Sequence, residues 1–469
     1  MLLDQRLSRR TLLRRTGIGL VVAGASAVLA ACAAPSAPSP TSAPAKSADQ
    51  AAAKGGGAPT AASRPTSAPK PAAGGKVTLQ FWTNWAGRQK EVWESLMQEF
   101  HQANPTIEVV SSFMSLAEMQ QKTVAAIAGG APPDLWINAA MVRPELIVDG
   151  AVVPLDKFGK VPDDFYPASN NASVRGGQRW GLPNNGGVPV IWYHEALFQQ
   201  AGLDPSKPPK TWDDLVAYGK QLTNPDKKQF GFIVPNRPYP WTTEAWYGFI
   251  LQAGGDFLTP DRSAVAFNQE PGVEALKFWS DLFLVHKTSP MQTFDADSLV
   301  STYGTGTIGM FPMYPVLTTR IKSFPFASRN TPYPTKVKQG AHFAGNYTTI
   351  AAASKNQEAA FAWCQWWWQA EINAKWCSGT GGLPARRSTT DHPIYQKFLQ
   401  EEPLAKAFID SLAFAQALPA VVGITEIQQA LSEAIEAATF GRKSPKEALD
   451  EAAAKGNDVL AKYRDKNKE

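Results

Sequence analysis

Between Ala33 and Gly75 the chain has no aromatic and no large aliphatic side chain; Ala, Pro, Ser, Thr, Gly and Lys make up almost all of it. Such a stretch has nothing to bury and cannot offset the entropy lost on folding. Folding is therefore confined to the residues beyond it, and at Lys76 the character changes at once. Val77, Leu79 and Phe81 alternate with Thr78, Gln80 and Trp82, as in a strand. Val92, Trp93, Leu96, Met97 and Phe100 then make a helical stripe that Asn104-Pro105 ends. Thr106 to Ser111 reads as a strand, Ser115 to Ala128 as a helix closed by Gly129-Gly130, and Leu135-Trp136-Ile137 as another strand. Strand and helix alternate, which favours a mainly parallel α/β sheet. The total of 469 residues suits two domains better than one. Further helix starts are marked by Thr211 with Asp214 and by the capping pattern Ser444-Pro445-Lys446-Glu447.

Ahead of the low-complexity stretch, arginines lead into an apolar run, Gly17 to Ala31, too short for a comfortable membrane span of about 20 residues. Ser8-Arg9-Arg10-Thr11-Leu12-Leu13-Arg14 resembles the twin-arginine export signal, with general secretion the other route open to such a leader. Leu29-Ala30-Ala31-Cys32 resembles the bacterial lipobox, whose cysteine is lipidated and becomes the new N-terminus. Several acyl chains on Cys32 would hold a protein at a membrane where one chain binds only marginally. Residues 33–75 then act as a tether with an r.m.s. reach of roughly 35–40 Å.

The formal net charge is +5. Much of it lies where Arg6, Arg9, Arg10, Arg14 and Arg15 oppose only Asp4, so the body offers no basic cluster for nucleic acid. Of three cysteines, Cys364 and Cys377 remain after Cys32; partly along one predicted helix, they read as buried free thiols unless the chain turns between them. The histidines, His101, His194, His286, His342 and His392, show no metal-binding spacing, and no cofactor is implied. Gly304-Thr305-Gly306-Thr307-Ile308-Gly309 fits a dinucleotide pattern, but the prolines after it argue against a phosphate-binding helix. A glycoside hydrolase would need two carboxylates across a cleft, and Asp295 and Asp297 lack such a context. No catalytic constellation is therefore read in the sequence.

Gly181-Leu182-Pro183-Asn184-Asn185, Val190-Ile191-Trp192-Tyr193-His194, Ala201-Gly202-Leu203 and Pro208-Pro209-Lys210-Thr211-Trp212 together resemble the extracellular solute-binding protein family 1. Gly130-Ala131-Pro132-Pro133-Asp134, Gly309-Met310, Ala352-Ala353-Ser354-Lys355-Asn356 and Gly382-Leu383-Pro384-Ala385-Arg386 agree with the family's order. The resemblance covers about Lys76 to Tyr463, and carbohydrate-uptake members look closest. It implies an α/β, two-lobed periplasmic-binding-protein-like fold of type II, with a cleft that closes by hinge motion. One lobe would comprise residues 76–185 and 346–390, the other 186–345 and 391–469, with crossovers near Asn185–Gly187 and Phe343–Gly345. It further implies a monomeric lipoprotein on the outer face of the cytoplasmic membrane that passes a sugar to the permease of an ABC importer. The alternatives are a polyol, glycerol phosphate or peptide as ligand.

Sugars present apolar faces and rings of hydroxyls, so aromatic platforms and amide or carboxyl groups are the candidates. Trp82, Asn84 and Trp85 lie where the first strand ends, the usual place for cleft loops in such sheets. Asn184 and Asn185 lie at the crossover beside Gly186-Gly187, glycines that would let a ligand approach the backbone; a plain turn is the competing reading. Trp241 and Glu244 open a helix. Tyr314 matches the turn that often bears a sugar platform in the family, though the usual Gly-Pro-Trp form is absent. Asn138 and Asn346 complete the set.

Overall fold

The structure, a computed structural model, describes residues 75–238 and 240–468. The export signal, Cys32 and nearly all of the tether lie outside the described residues. The chain runs β1 (Val77–Thr83), α1 (Arg88–Ala103), β2 (Ile107–Phe113), α2 (Leu116–Ala128), β3 (Leu135–Ala140) and β4 (Val152–Val153). Then come β5 (Leu182–Gly187), β6 (Val190–His194), α3 (Trp212–Leu222), β7 (Phe230–Phe232), α4 (Pro240–Gln252), α5 (Glu270–Leu284) and α6 (Ala296–Tyr303). β8 (Ile308–Met313), β9 (Ser328–Thr331), β10 (Ala341–His342) and β11 (Ala344–Ala351) precede α7 (Gln357–Trp367), α8 (Ala370–Thr380) and α9 (Pro393–Glu401). β12 (Ala415–Gln416), α10 (Ile424–Thr439) and α11 (Pro445–Lys462) close the chain, with short turns of helix and strand in between.

Two sheets result. The first has the order β2-β1-β3-β11-β4, with β5 also paired to β11; the second has the order β9-β6-β8-β7. Only β2, β1 and β3 form the expected parallel unit, because β11 runs antiparallel to β3, β4 and β5. The second sheet pairs β8 antiparallel to β6 and parallel to β7. The sheet is thus mixed rather than mainly parallel. The physical reason is that β11 is not reached through a βαβ crossover but returns from the second sheet's side, entering from the opposite end.

The chain passes between the two large sheets at residues 188–189 and again before β11. β5 belongs to the first sheet and β6 to the second, joined by Val188-Pro189, while β10, Phe343 and β11 make the return. The two crossing segments run side by side, Gly187 opposite Ala344 and Asn185 opposite Asn346. A third passage falls later than the expected boundary at residue 390. Tyr395 of α9 is buried in the first lobe's core with Ile394 and Phe398 packed against it, and Phe408 belongs to the second core.

Local signals account for much of this. The stripe Trp93, Leu96, Met97 and Phe100 is the buried face of α1. Thr211 and Asp214 form a reciprocal capping box on α3, and the Ser444 hydroxyl accepts from the Glu447 N–H with Pro445 in the first turn of α11. The Gly304 to Gly309 run leads into strand β8 and not into a helix. Cys364 and Cys377 sit on consecutive helices, both buried and both free, and burial raises both thiol pKa values. No helix among the described residues is long and apolar enough to cross a membrane.

The first lobe's core is a tryptophan cluster. Trp85 lies 4.4 Å from Trp376 and 4.8 Å from Trp93 between ring centroids, and Trp363 stacks on Trp367 at 5.2 Å. The indole N–H groups of Trp85, Trp363, Trp367 and Trp376 find no hydrogen-bond partner among the described residues. Their mostly tilted packing turns ring edges toward neighbouring π faces, the arrangement that the aromatic quadrupole favours.

Candidate functional site

The two crossovers bring a set of polar groups to the joint between the sheets. At the end of β5, the Asn346 amide donates to Asn185 Oδ1 at 3.2 Å. Asn346 keeps part of its surface open, because the exposed positions of β11 alternate through Ala344 and Asn346. Ala140, at the end of β3 and opposite Gly345, holds a left-handed backbone at φ 69°, uncommon for a residue with a Cβ.

From the second sheet, β8 ends at Met313 and delivers Tyr314, which is only 7% exposed. Its hydroxyl and His342 Nδ1 lie 2.6 Å apart. Gly187 lies against Tyr314 and Pro315; a Cβ there would stand 3.3 Å from Tyr314 Cδ1. Tyr333 packs over α4, where a Cβ at Gly248 would meet its ring at 2.7 Å. Glu244, one turn earlier on α4, completes the cluster. The residue as a whole is half-buried, and its carboxyl is closely surrounded by protein.

The electrostatics of this cluster arise from burial. Desolvation pushes the Glu244 carboxyl up to about 7 and drives the His342 imidazole down to about 3. The Tyr314 phenol is raised well above its ordinary value, first by burial and then by electrostatic interaction with the acidic groups Glu244 and Tyr333. His342 is therefore neutral at ordinary pH, and Tyr314 stays protonated. A neutral His342 can accept the Tyr314 hydroxyl hydrogen at Nδ1. Glu244 is a carboxyl with no hydrogen-bond or ion-pair partner among the described residues.

The sequence-derived candidates divide sharply. Asn185 and Asn346 share a hydrogen bond at the joint, Tyr314 lies against Gly187 there and feels the charge of Glu244, and Trp241 is partly buried against the second core at the start of α4. Asn84, after β1, retains some exposure and has a side-chain oxygen without a partner. Four others are placed elsewhere. Trp85 is 2% exposed inside the tryptophan cluster, so core packing occupies its ring. Trp82 points to the opposite face of β1 from Phe81 and packs on a small cluster with Trp136 and Leu146. Asn184 is fully buried, its side chain exchanging hydrogen bonds with Thr348 at 2.9 and 3.1 Å and its carbonyl accepting from Asn373; it pins β5 to β11 and α8. Asn138 donates to Thr349 Oγ1 and borders a cavity of about 30 Å³ between α2 and β3, the room of one water molecule.

Gly186 also differs from expectation, since the space left by its missing Cβ is filled by the Phe343 ring, 2.2 Å from where that atom would sit. Sequence reasoning misses His342. The signal that marks it is position, immediately before the second crossover. Asp295 caps α6 and pairs with Arg237, and Asp297 pairs with Arg320, so these carboxylates have structural partners.

Comparison with known proteins agrees with this architecture. The sn-glycerol-3-phosphate-binding periplasmic protein of Escherichia coli is 23% identical over 420 residues, covering 83% of this chain and 94% of that protein. The cyclic alpha-maltosyl-1,6-maltose binding protein of Arthrobacter globiformis superposes with a TM-score of 0.75 at 24% identity, covering 83% of this chain and 100% of that one. UgpB from Mycobacterium tuberculosis, solved in complex with glycerophosphocholine, superposes with a TM-score of 0.72 at 17% identity, covering 83% of this chain and 100% of that one. These likenesses show a two-lobed solute-binding fold. The family model described as bacterial extracellular solute-binding protein matches residues 85–374, and the chain belongs to that family.

Proposed function

We propose that this protein is the extracytoplasmic substrate-binding component of an ABC importer, which captures a sugar or oligosaccharide between its two lobes and delivers it to the membrane permease. The observation that carries the reading is the joint itself: two adjacent crossovers, with the Asn185–Asn346 and Tyr314–His342 pairs beside them and Glu244 acting on Tyr314. A ligand bound there would touch both sheets and so favour the closed arrangement by its differential affinity. Trp241 supplies a partly open ring and Asn84 an unpartnered oxygen. No step of this function needs catalysis. Titration of the full chain with mono- to tetrasaccharides should release or take up heat and compact the protein in small-angle scattering. Chromatography should find the sugars intact, and a cleaved product would refute the non-enzymatic part.

We also propose that the chain is exported and anchored through lipid on Cys32, with residues 33–75 as its tether. A Cys32→Ala variant should leave the membrane fraction; retention there, uncleaved, would reject the anchor. Glycerol phosphate remains the second reading, supported by the name of the Escherichia coli relative at 23% identity.

A further inference from the structure

The geometry points to a cleft selective by charge: Glu244, set beside the Tyr314–His342 pair with no basic partner, makes the site one for uncharged polyhydroxylated ligands and bars phosphate- or carboxylate-bearing ones. This inference rests on reading the joint as the solute site.

Three observations support it. First, Glu244 meets neither a hydrogen-bond donor nor a cation among the described residues, although most carboxylates in this protein do. Asp164 is paired with Arg386, Glu195 with Arg329 and Asp295 with Arg237. Arg237, the basic residue nearest to Glu244 in sequence, is therefore already engaged. Second, among the described residues no lysine or arginine shifts any titratable member of the cluster: burial shifts Glu244, His342 and Tyr333, and Tyr314 feels Glu244 and Tyr333 besides burial. A phosphate site needs donors and positive charge, as in arginine forks or lysine contacts. This cluster offers an acceptor carboxyl, a neutral imidazole and a phenol already bonded to it.

Third, the unpartnered carboxyl has one chemical complement. Glu244 can accept hydrogen bonds at both of its oxygens. A ring of sugar hydroxyls supplies such donors without bringing charge, and a buried carboxylate bonded by two hydroxyls recovers the solvation it lost. An anion brought to the same place would face a like charge in a low-dielectric setting, where repulsion is several times stronger than in water.

The test uses the full chain and calorimetric titration with maltose, maltotriose, glucose, sn-glycerol 3-phosphate and glycerophosphocholine. The expected result is that at least one neutral saccharide binds, and that sn-glycerol 3-phosphate binds at least a hundredfold more weakly than the best of them. Glu244→Gln should weaken the saccharide at least tenfold and narrow that gap. Wild type that prefers sn-glycerol 3-phosphate or glycerophosphocholine overturns the charge rule while leaving the solute-binding reading intact. A folded protein that binds none of the five removes both. Should Glu244→Gln fail to fold, competition between saccharide and sn-glycerol 3-phosphate on wild type alone decides.

Discussion

The tryptophan cluster under β1 and the polar cluster at the joint are both buried and both rich in aromatic rings, but they differ in what their burial does. The Trp85 ring packs against other aromatic rings, with centroids 4.4–6.1 Å apart. Nothing there titrates near neutral pH, and the energy stored is packing energy. Around Tyr314 the rings enclose Glu244 and His342, two groups whose charged forms burial has made unfavourable. The first region should respond to lost volume and ignore pH and ligand. The second should respond to both.

Removing one ring from the tryptophan cluster gives the largest expected effect. Trp376 is fully buried and touches Trp85 and Trp367, so Trp376→Ala should lower stability by about 3–5 kcal/mol. Urea unfolding measures this, and ligand affinity of the folded fraction should stay within about twofold of wild type. A variant that keeps its stability and loses its ligand would erase the distinction between the two regions.

A smaller effect separates the two titrating groups. Glu244 has a folded pKa of about 7 against 4.5, so its contribution is full below pH 4.5 and is lost as pH rises through 7. His342 has a folded pKa of about 3 against 6.5, so its contribution is full above pH 6.5 and is lost as pH falls toward 3. The groups that face them are Tyr314 after β8, Tyr333 over α4 and Tyr247 on α4 beside His342. Between pH 4.5 and 6.5 the two slopes oppose each other, and unliganded wild type should be nearly flat. Glu244→Gln should make stability rise with pH across that window, and His342→Asn should make it fall, each by up to about 2–3 kcal/mol. Parallel slopes in the two variants would show that the pair does not titrate as placed.

Tyr314 divides its ring from its hydroxyl. Tyr314→Phe keeps the ring at the joint and leaves His342 Nδ1 without its partner, at a cost of about 1–2 kcal/mol in thermal unfolding. If the ring is the ligand platform, affinity should change less than threefold. A large loss of affinity would assign the ligand contact to the hydroxyl.

The same contrast explains what is legible in the sequence. Period-2 and period-3.6 patterns place β1, α1 and α2 nearly to the residue, because each signal is local: Trp93 through Phe100 need only their own helix to share a face. The crossovers are legible through their motif. The site is less so. Trp85 reads as a cleft residue because it comes just after a strand end, but its burial is decided by Trp363, Trp367 and Trp376, some 280 residues away. Trp82 is lost to strand alternation, which sends it to the face opposite Phe81. The third passage, between Phe398 and Phe408, and the role of His342 depend on which elements meet in space, and no spacing rule encodes that.

The smallest expected effect lies at the seam of the two crossovers, where the comparison is most delicate. Asn346 and Asn185 face each other across β11 and β5 and share one hydrogen bond at 3.2 Å. The bond is only partly buried, so water can replace the missing donor, and Asn346→Ala should reduce stability by about 0.5–1 kcal/mol. Asn184, its fully buried neighbour, should behave differently: Asn184→Ala strands Thr348 without its side-chain partner and should destabilise more than Asn346→Ala does. If Asn346 belongs to the ligand site and Asn184 to the scaffold, the two variants will invert between assays. Calorimetry should find affinity falling further for Asn346→Ala, while thermal unfolding finds stability falling further for Asn184→Ala. Equal ranking in both assays would mean that the seam acts as one structural unit and that the ligand is held by α4 and Tyr314 alone.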